Sequence, residues 1–188
     1  ADVTKGHPIF IDQFLENAFE FDVDALSDGS HVYIAGVMQH IEEAGIHSGD
    51  SACVIPPYKI KPDTLDELVK ITKVLALKLK VIGLINIQFA FRKGKVYVLE
   101  VNPRASRTVP FISKTTNVPL AKIAAQLSVG AKLTEFNLSP WNAINHVSVK
   151  EAVLPFNKFP LESVFLSPEM KSTGEVMGIS NTLGDAFL

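Results

Sequence analysis

Cysteine is nearly absent from this sequence, since Cys53 is the single one among 188 residues. One cysteine cannot form an internal disulfide, and no group of Cys and His residues has the spacing of a zinc site. We therefore expect neither a disulfide scaffold nor zinc or thiol chemistry. The cysteine usage is typical of the reducing cytoplasm.

Long apolar runs and runs of basic residues are also missing. No apolar stretch approaches the roughly 20 residues of a membrane-spanning helix, and the formal net charge is only −2. We expect no membrane and no nucleic acid as partner. Glycine-rich loops of the Walker or dinucleotide-binding type are absent too, so bound phosphates would need another cradle. Residues 1–7 have no signal-peptide character and no initiator Met, which leads us to expect a piece of a longer chain.

The hydrophobic fraction of 47% is enough for a packed core. Alternating apolar residues predict two hairpins and two later strands. The predicted strands cover residues 20–26, 31–41, 84–91, 96–101, 147–154 and 174–179. Residues 42–51 are polar and contain two glycines, so they predict a loop.

Two helices are indicated by their ends. Thr64 and Glu67 have the spacing of a capping box, which places Thr64 at the N-cap of a helix that stops near Lys80. Pro119 is a good first helical residue for a second helix that ends at Gly130. Residues 132–146 read as a connecting segment. Hairpins interspersed with helices predict an α+β fold with a mostly antiparallel sheet.

The second hairpin contains a candidate metal site. Glu100 and Asn102 are two residues apart, so they share one face of a strand. Glu100 interrupts an apolar strand, where a buried carboxylate without a partner would be costly. A three-residue turn at 92–94 would pair Gln88 with Val98 and leave Gln88 on the face of Glu100, whereas a two-residue turn would put it on the other face. We favour the three-residue turn and hence an oxygen-ligand site for a hard cation.

A plainer interpretation is open for each of these residues. Glu100 could be an edge-strand carboxylate, and Asn102 could merely begin the turn before Pro103. Arg104 and Arg107 suit phosphate or carboxylate ligands, because a guanidinium group can donate paired hydrogen bonds. They could equally form surface salt bridges. His47, in the 42–51 loop, could contact a ligand or simply be solvated.

Several motifs resemble one family. The segment EVNPRASR at 100–107 is similar to the metal- and phosphate-binding segment of ATP-grasp enzymes, especially carbamoyl-phosphate synthetases. The resemblance extends to residues 42–51, 109–114, 149–156 and 172–178, so nearly the whole chain is covered in order. Its form looks more like the second, C-terminal synthetase half of the large subunit than the first.

The resemblance implies a fold and a division of the chain. Residues 1–15 would be the end of the small ATP-grasp lobe and the hinge, with a last strand around 8–11. Residues 16–188 would form the large C-terminal lobe, a mostly antiparallel sheet flanked by helices, with 132–146 as a connecting segment within it.

The resemblance also implies roles for individual residues. Magnesium or manganese, two ions per site, would be bound by Gln88, Glu100 and Asn102. The nucleotide would be contacted by Gln13, Leu15, Glu20, Gly45, Ile46, His47 and Ser48, together with Gln88 and Glu100. Arg104 and Arg107 would face the transferred phosphoryl group and carbamate. A potassium ion is a further cofactor that the family suggests.

By the same resemblance, the parent enzyme phosphorylates carbamate with ATP to give carbamoyl phosphate for arginine and pyrimidine synthesis. Its partners would be a glutaminase small subunit and the remaining large-subunit domains. We expect the 188 residues alone to be inactive and to bind ATP weakly.

Two rival interpretations remain. A different ATP-grasp ligase, such as a biotin carboxylase-like enzyme, would share the metal residues but should lack the HSGDS and STGEVMG segments found here. A non-catalytic fragment whose apolar residues Phe156, Phe159 and Phe165 pack against other domains is the second.

Overall fold

The computed structural model of the protein describes residues 8, 11, 13–158, 161 and 163–188. Seven strands occur in these residues: β1 (Phe19–Asp28), β2 (Val32–His40), β3 (Cys53–Ile55), β4 (Ile82–Arg92), β5 (Lys95–Asn102), β6 (Val147–Val153) and β7 (Gly174–Ser180). They form one sheet in the order β5-β4-β1-β2-β3-β6-β7. Every described pair of neighbouring strands is antiparallel.

The helices found in the described ranges are α1 (Pro62–Lys78), α2 (Val109–Thr116), α3 (Leu120–Ser128) and α4 (Leu183–Phe187). Two short 3-10 turns cover Leu133–Glu135 and Phe156–Lys158. None of the helices in this part of the chain is long and apolar enough to cross a membrane. The predicted α+β class, with a mostly antiparallel sheet and flanking helices, is confirmed.

The main apolar core lies between one face of the sheet and helices α1 to α3. Phe21, Val23 and Ala25 alternate along β1 and are fully buried. They share one cluster with Leu68 of α1 and Ile112 of α2. Burying a large apolar side chain stabilises a fold by about 1.5–3 kcal/mol. The opposite face of β1 is therefore free to carry polar residues.

The first hairpin follows its sequence prediction closely. β1 and β2 pair antiparallel on either side of Gly29, whose φ of +83° suits a glycine. The connecting loop at 42–51 and the two later strands are confirmed as well, since β6 and β7 occupy the predicted ranges to within one residue at each end.

The predicted start of α1 is wrong. The helix begins at Pro62, and its N-cap is Lys61, whose side chain makes no capping bond. Thr64 and Glu67 lie inside the first turns. Proline has a fixed φ near the helical value and no N–H to leave unpaired, so it is stable at the first helical position and starts the helix three residues earlier.

The predicted turn of the second hairpin is also wrong. Arg92 pairs with Lys95, so the turn has two residues, Lys93 and Gly94, both with positive φ. Positive φ at both central residues is typical of the tight turn that matches the twist of paired strands.

Three elements were not predicted. These are the short strand β3, helix α2 and helix α4. Helix α3 was predicted, although Pro119 is its N-cap and not its first residue. Val54 of β3 packs with Val149 and Ala186 in a second small cluster, while its neighbour Cys53 belongs to the main core. Because side chains alternate along a strand, α4 lies on the face opposite α1 to α3.

The division of the chain at residue 15 stays a prediction. Residues 1–7, 9–10 and 12 lie outside the described residues, so the strand expected around 8–11 cannot be compared.

Candidate functional site

Six polar residues form two rows across strands β1, β4 and β5, on the face opposite the main core. In one row Asp22 lies opposite Gln88, and Gln88 lies opposite Glu100. In the next row Asp24 lies opposite Asn86, and Asn86 lies opposite Asn102. Residues directly opposite each other in a sheet project from the same face. The three predicted metal ligands are thus brought together.

A β-bulge is responsible for this register. Phe89 pairs with Val98 but Gln88 pairs with Glu100, so Leu99 is the extra, unpaired residue. A two-residue turn without a bulge would have placed Gln88 and Glu100 on opposite faces. The extra residue reverses the alternation and returns Glu100 to the face of Gln88.

These rows border a cavity of about 290 Å³. It is lined by Asp22, His47, Ser48, Gly49, Asn86, Gln88, Glu100, Asn102, Arg104, Ser106, Arg107, Thr108 and Met170. The lining contains hydroxyl, amide, carboxylate and guanidinium groups, which together suit a phosphate-bearing ligand and a hard cation.

Glu100 is not buried, contrary to the sequence argument. β5 is an edge strand of the sheet, and the Glu100 side chain is exposed. Its carboxylate therefore keeps its hydration and does not need an ion to offset a burial cost. The plainer interpretation of Glu100 as an edge-strand carboxylate describes its location correctly, and its position beside Gln88 and Asn102 is what makes it a candidate ligand.

The amide of Gln88 is oriented by the 42–51 loop. Its Nε2 donates to Ser48 Oγ over 3.0 Å. The backbone carbonyl of Ser48 in turn accepts a hydrogen bond from Lys150 Nζ over 3.2 Å, and Lys150 is fully buried. With its nitrogen bound to Ser48, Gln88 has its amide oxygen available for another partner.

The two arginines project from the segment that follows β5. Arg104 Nη2 donates to Asn102 Oδ1 over 3.1 Å, beside the candidate ligands. Arg107 Nη1 donates to Ser172 Oγ over 2.9 Å, and its Nε lies 3.7 Å from Glu175 Oε1. Both arginines line the cavity, so they are more than isolated surface salt-bridge partners.

A second cavity of about 240 Å³ adjoins the first. It is lined by Glu20, Gly45, Ile46, His47, Ser48, Gln88, Glu100 and Pro168. Gly45 N donates to Glu20 Oε1 over 3.2 Å, which joins the loop to β1. Seven of the nine residues expected to contact a nucleotide thus line one cavity. Gln13 is exposed and Leu15 half-buried, and neither lines the cavities described here.

His40 lies between two carboxylates beneath these cavities. Its Nδ1 is 3.3 Å from Glu20 Oε2, and its Nε2 is 3.6 Å from Asp22 Oδ2. Burial alone would lower the pKa of His40, but the neighbouring Cys53 and Asp22 raise it well above its ordinary value. The protonated form of His40 is therefore favoured beside Asp22.

The 42–51 loop is held by a distant segment that sequence reasoning did not connect to the site. Asp50 accepts hydrogen bonds from Lys171 N over 2.7 Å and Ser172 N over 2.8 Å. His47 N donates to the carbonyl of Ser167 over 2.9 Å. Burial would raise the pKa of Asp50, but the hydroxyl of Ser172 and these backbone donors hold it below its usual range. No local signal links residues about 120 positions apart.

Asp24 is another residue that the sequence did not single out. It is fully buried and accepts hydrogen bonds from Asn86 Nδ2 (3.1 Å), Ser106 Oγ (2.6 Å) and Thr108 Oγ1 (2.9 Å). Burial raises the pKa of Asp24 to about 6, and repulsion from Asp22 adds to the rise, while the three donors oppose it. The only available sequence signal was an acidic residue within an apolar strand.

Residues 3–136 match the family described as carbamoyl-phosphate synthase L chain, ATP binding domain. The chain is 58% identical over 188 residues to the carbamoyl phosphate synthase large chain of Methanothermobacter thermautotrophicus, covering 98% of this chain and 18% of that protein. It is 59% identical to that of Archaeoglobus fulgidus, covering 99% of this chain and 17% of that protein. The chain thus spans less than a fifth of the length of these relatives.

Among solved structures, the chain is similar to the biotin carboxylase domain of a single-chain bacterial carboxylase. The TM-score is 0.67 at 19% identity, covering 77% of this chain and 34% of that one. At this identity the likeness shows a shared ATP-grasp fold and nothing more, so the biotin carboxylase-like alternative remains a relative in fold alone. The family match over residues 3–136 and the high identity to large chains agree with each other. The chain belongs to the family of ATP-binding domains of the carbamoyl-phosphate synthase large chain.

Proposed function

We propose that the two adjoining cavities bind ATP with divalent cations, and that this chain acts in the second, C-terminal synthetase half of a carbamoyl-phosphate synthase large chain. There it would phosphorylate carbamate. The single observation that supports this most is the placement of Gln88, Glu100 and Asn102 in one cavity with Arg104 and Arg107. A cation ligand set beside two guanidinium groups suits phosphoryl transfer.

The donor set fits magnesium or manganese better than a softer metal. In the described residues, no group of three or more His, Cys, Asp or Glu side chains could hold a metal ion. The candidate ligands instead offer one carboxylate and two amide oxygens, which are hard ligands that leave positions for substrate phosphates. Gln88 fits this role because its nitrogen is bound to Ser48. Glu100 would supply carboxylate oxygens to the ions.

The reaction would transfer the γ-phosphoryl group of ATP to a carbamate oxygen, giving carbamoyl phosphate and ADP. A bound divalent ion supplies charge neutralisation for the phosphoryl oxygens. Arg107 would orient the phosphoryl group and the carbamate by paired hydrogen bonds. Arg104 now donates to Asn102 Oδ1 and to the carbonyl of Ala105, so part of its guanidinium group remains free to contact the substrate.

The second cavity would hold the nucleoside. Gly45 and Ile46 would close over it from the loop, with Glu20 reaching the ribose from β1. Gly45 has a φ of +110°, and a Cβ there would lie 3.0 Å from the Phe14 ring. A side chain at this position would therefore strain the loop. Gln13 and Leu15 would contact the adenine only after residues 13–15 approach the cavity.

The finer cofactor and partner assignments belong to the same proposal. Two magnesium or manganese ions per site, a potassium ion, a glutaminase small subunit, further large-chain domains and a cytoplasmic location are what the family assignment suggests. Since the relatives are more than five times as long as this chain, we expect the 188 residues alone to bind ATP weakly and to produce no carbamoyl phosphate.

Calorimetric titration of Mg-ATP into the 188-residue chain tests the proposal. We expect magnesium-dependent heat of binding that Glu100→Ala removes. The matched control is Glu67→Ala, because Glu67 is an exposed carboxylate on α1, away from both cavities. Equal binding by both variants, or none by the unaltered chain even at high ATP concentration, would contradict the proposal.

A non-catalytic interface is the second candidate function, and one observation favours it. Phe165 is 81% exposed, an unusual position for so large an apolar side chain. Phe156 is half-buried, and Phe159 lies outside the described residues. If forming this interface were the only function of the chain, Glu100→Ala would leave that function unchanged.

A further inference from the structure

Asp24 is a buried acidic residue whose hydrogen-bond donors are side chains of the cavity lining. It does not itself line the larger cavity, yet all three side chains that donate to it do: Asn86, Ser106 and Thr108. Two of them, Ser106 and Thr108, flank Arg107. The buried carboxylate of Asp24 therefore holds the two cavity-lining residues on either side of Arg107.

The geometry of Thr108 supports the same conclusion independently. Thr108 is the N-cap residue of α2, a position where a threonine hydroxyl commonly accepts a hydrogen bond from the helix backbone. No such capping bond is made. The hydroxyl donates to Asp24 Oδ2 over 2.9 Å and lies 2.7 Å from Ser106 Oγ. The favourable capping bond is replaced by a link to the sheet, which fixes the turn before α2.

The backbone of this turn has few other restraints. Arg104 N bonds to the carbonyl of Asn102, and Val109 N bonds to that of Ser106 over 3.4 Å, a long contact. Arg107 itself is exposed on one side, where it contacts Ser172 and Glu175. The side-chain bonds from Ser106 and Thr108 to Asp24 connect the turn to β1, the strand paired with the β4 strand that carries Gln88 and Asn86.

We propose that Asp24 is a positioning residue for phosphoryl transfer: through Ser106 and Thr108 it fixes Arg107 relative to the Gln88–Glu100 pair. This inference rests on the proposed function of the cavity. Asp24 lines neither cavity, so it would touch neither substrate nor cation. Its effect is on the placement of a guanidinium group, and a misplacement of about 1 Å can lower a rate on the order of 100-fold.

Asp28 supplies a matched control on the same strand. It is also buried, at 5% exposed, and it also accepts several hydrogen bonds. Its donors are the backbone N–H groups of Ser30, His31 and Leu133, none of which lines either cavity of the site. Loss of Asp28 should therefore weaken the fold without affecting Arg107.

The test uses the full-length large chain that contains this segment. The measured reaction is ATP formation from ADP and carbamoyl phosphate, the reverse of the proposed step. For Asp24→Asn we expect kcat to fall about 10- to 100-fold with the KM for ADP within about twofold, because the nucleoside cavity is not altered. For Asp28→Asn we expect a lower Tm and a kcat within about twofold, measured where both variants are folded.

Thr108 provides a second route if Asp24→Asn fails to fold. Thr108→Val removes the hydroxyl that donates to Asp24 and should lower kcat. Thr108→Ser restores that hydroxyl and should recover most of the loss. A structure of Asp24→Asn or Thr108→Val should show Arg107 displaced.

The outcomes separate this inference from the proposed function. No ATP formation by the unaltered enzyme would refute the proposed function itself. An active enzyme in which Asp24→Asn and Thr108→Val keep their kcat would refute the positioning role alone. Equal losses of kcat in Asp24→Asn and Asp28→Asn would also refute it, since the effect would then be one of stability.

Discussion

Gln88 lies directly opposite Glu100, although the hairpin that joins their strands has a two-residue turn. Only the extra residue Leu99 makes this possible. A strand alternates its side chains with a period of two, so one inserted residue moves every later side chain to the other face. The site therefore depends on a bulge as much as on the identity of its ligands.

Deletion of Leu99 should abolish magnesium-dependent ATP binding. Without the extra residue, Glu100 would point away from Gln88, or the strand would slip and disrupt the pairing beyond it. Leu99 is 48% exposed, so the loss of its apolar contacts should be small. Calorimetry measures the binding, and circular dichroism shows that the sheet is retained.

Leu99→Ala is the matched control, because it shortens the side chain and keeps the residue count of β5. We expect its ATP binding to equal that of the unaltered chain. Binding that survives the deletion would show that the bulge does not set the site.

Glu100→Ala should reduce turnover of the full-length enzyme far more than His47→Ala. Glu100 is the only carboxylate among the three candidate ligands, whereas His47 accepts a hydrogen bond from Gly49 N through Nδ1 and otherwise lines the two cavities. We expect a loss of at least about 1000-fold for Glu100→Ala, on the scale of removing a key electrostatic group. ATP formation from ADP and carbamoyl phosphate at saturating magnesium measures both. Comparable losses would indicate that Glu100 is not a metal ligand.

Thr64→Ala should leave the stability of the chain nearly unchanged. Thr64 lies inside α1 and not at its N-cap, which is Lys61. Alanine is a favourable helix residue, so the free energy of unfolding should change by less than about 0.5 kcal/mol. Leu68→Ala removes a fully buried side chain and should cost about 2–5 kcal/mol. Urea unfolding measures both. A loss of about 1 kcal/mol for Thr64→Ala would instead indicate a capping role.

Asp24 and Asp28 should make opposite contributions to the pH dependence of stability. Burial would raise the pKa of Asp28, but the backbone N–H groups of Leu133, His31 and Ser30 hold it far below the ordinary value of 3.8. The charged form is thus favoured in the folded state, and its stabilisation is present above pH 3.8 and lost as the pH falls further. In Asp28→Asn, the free energy of unfolding should therefore fall less steeply as the pH drops below 3.8.

For Asp24 the sign is reversed. Its folded pKa of about 6 lies above the ordinary 3.8, so its contribution is fully present below pH 3.8 and is lost as the pH rises towards 6. The difference corresponds to about 3 kcal/mol at 1.36 kcal/mol per pKa unit. Asp24→Asn should remove this decline. Urea unfolding between pH 4 and about 7 measures it, and an unchanged slope would contradict the assignment.

The sequence predicted the hairpins well because alternation is a local signal. Phe21, Val23 and Ala25 alternate with polar residues, and all three are in the core. The turn and the bulge were not predictable, since Leu99 differs from its neighbours only in its pairing. Helix α2 was missed because Val109 and Ile112 are β-branched and have weak helix propensity, which packing overrides.

The candidate ligands were predicted from spacing and resemblance. The exposure and the contacts of the residues around them were not predicted. Glu100 was expected to be buried and is exposed. Lys150 and Asp50 hold the 42–51 loop through contacts with distant parts of the chain. Such contacts depend on the order of strands in the sheet, which no local pattern specifies.

The convergence of Gln88, Glu100 and Asn102 on one cation is the central claim. A crystal structure with manganese and ATP tests it most directly, because the anomalous signal of manganese locates the ion independently. We predict a peak at roughly 2 Å from oxygens of all three side chains. A manganese peak elsewhere, with these three side chains directed away from it, would contradict the account.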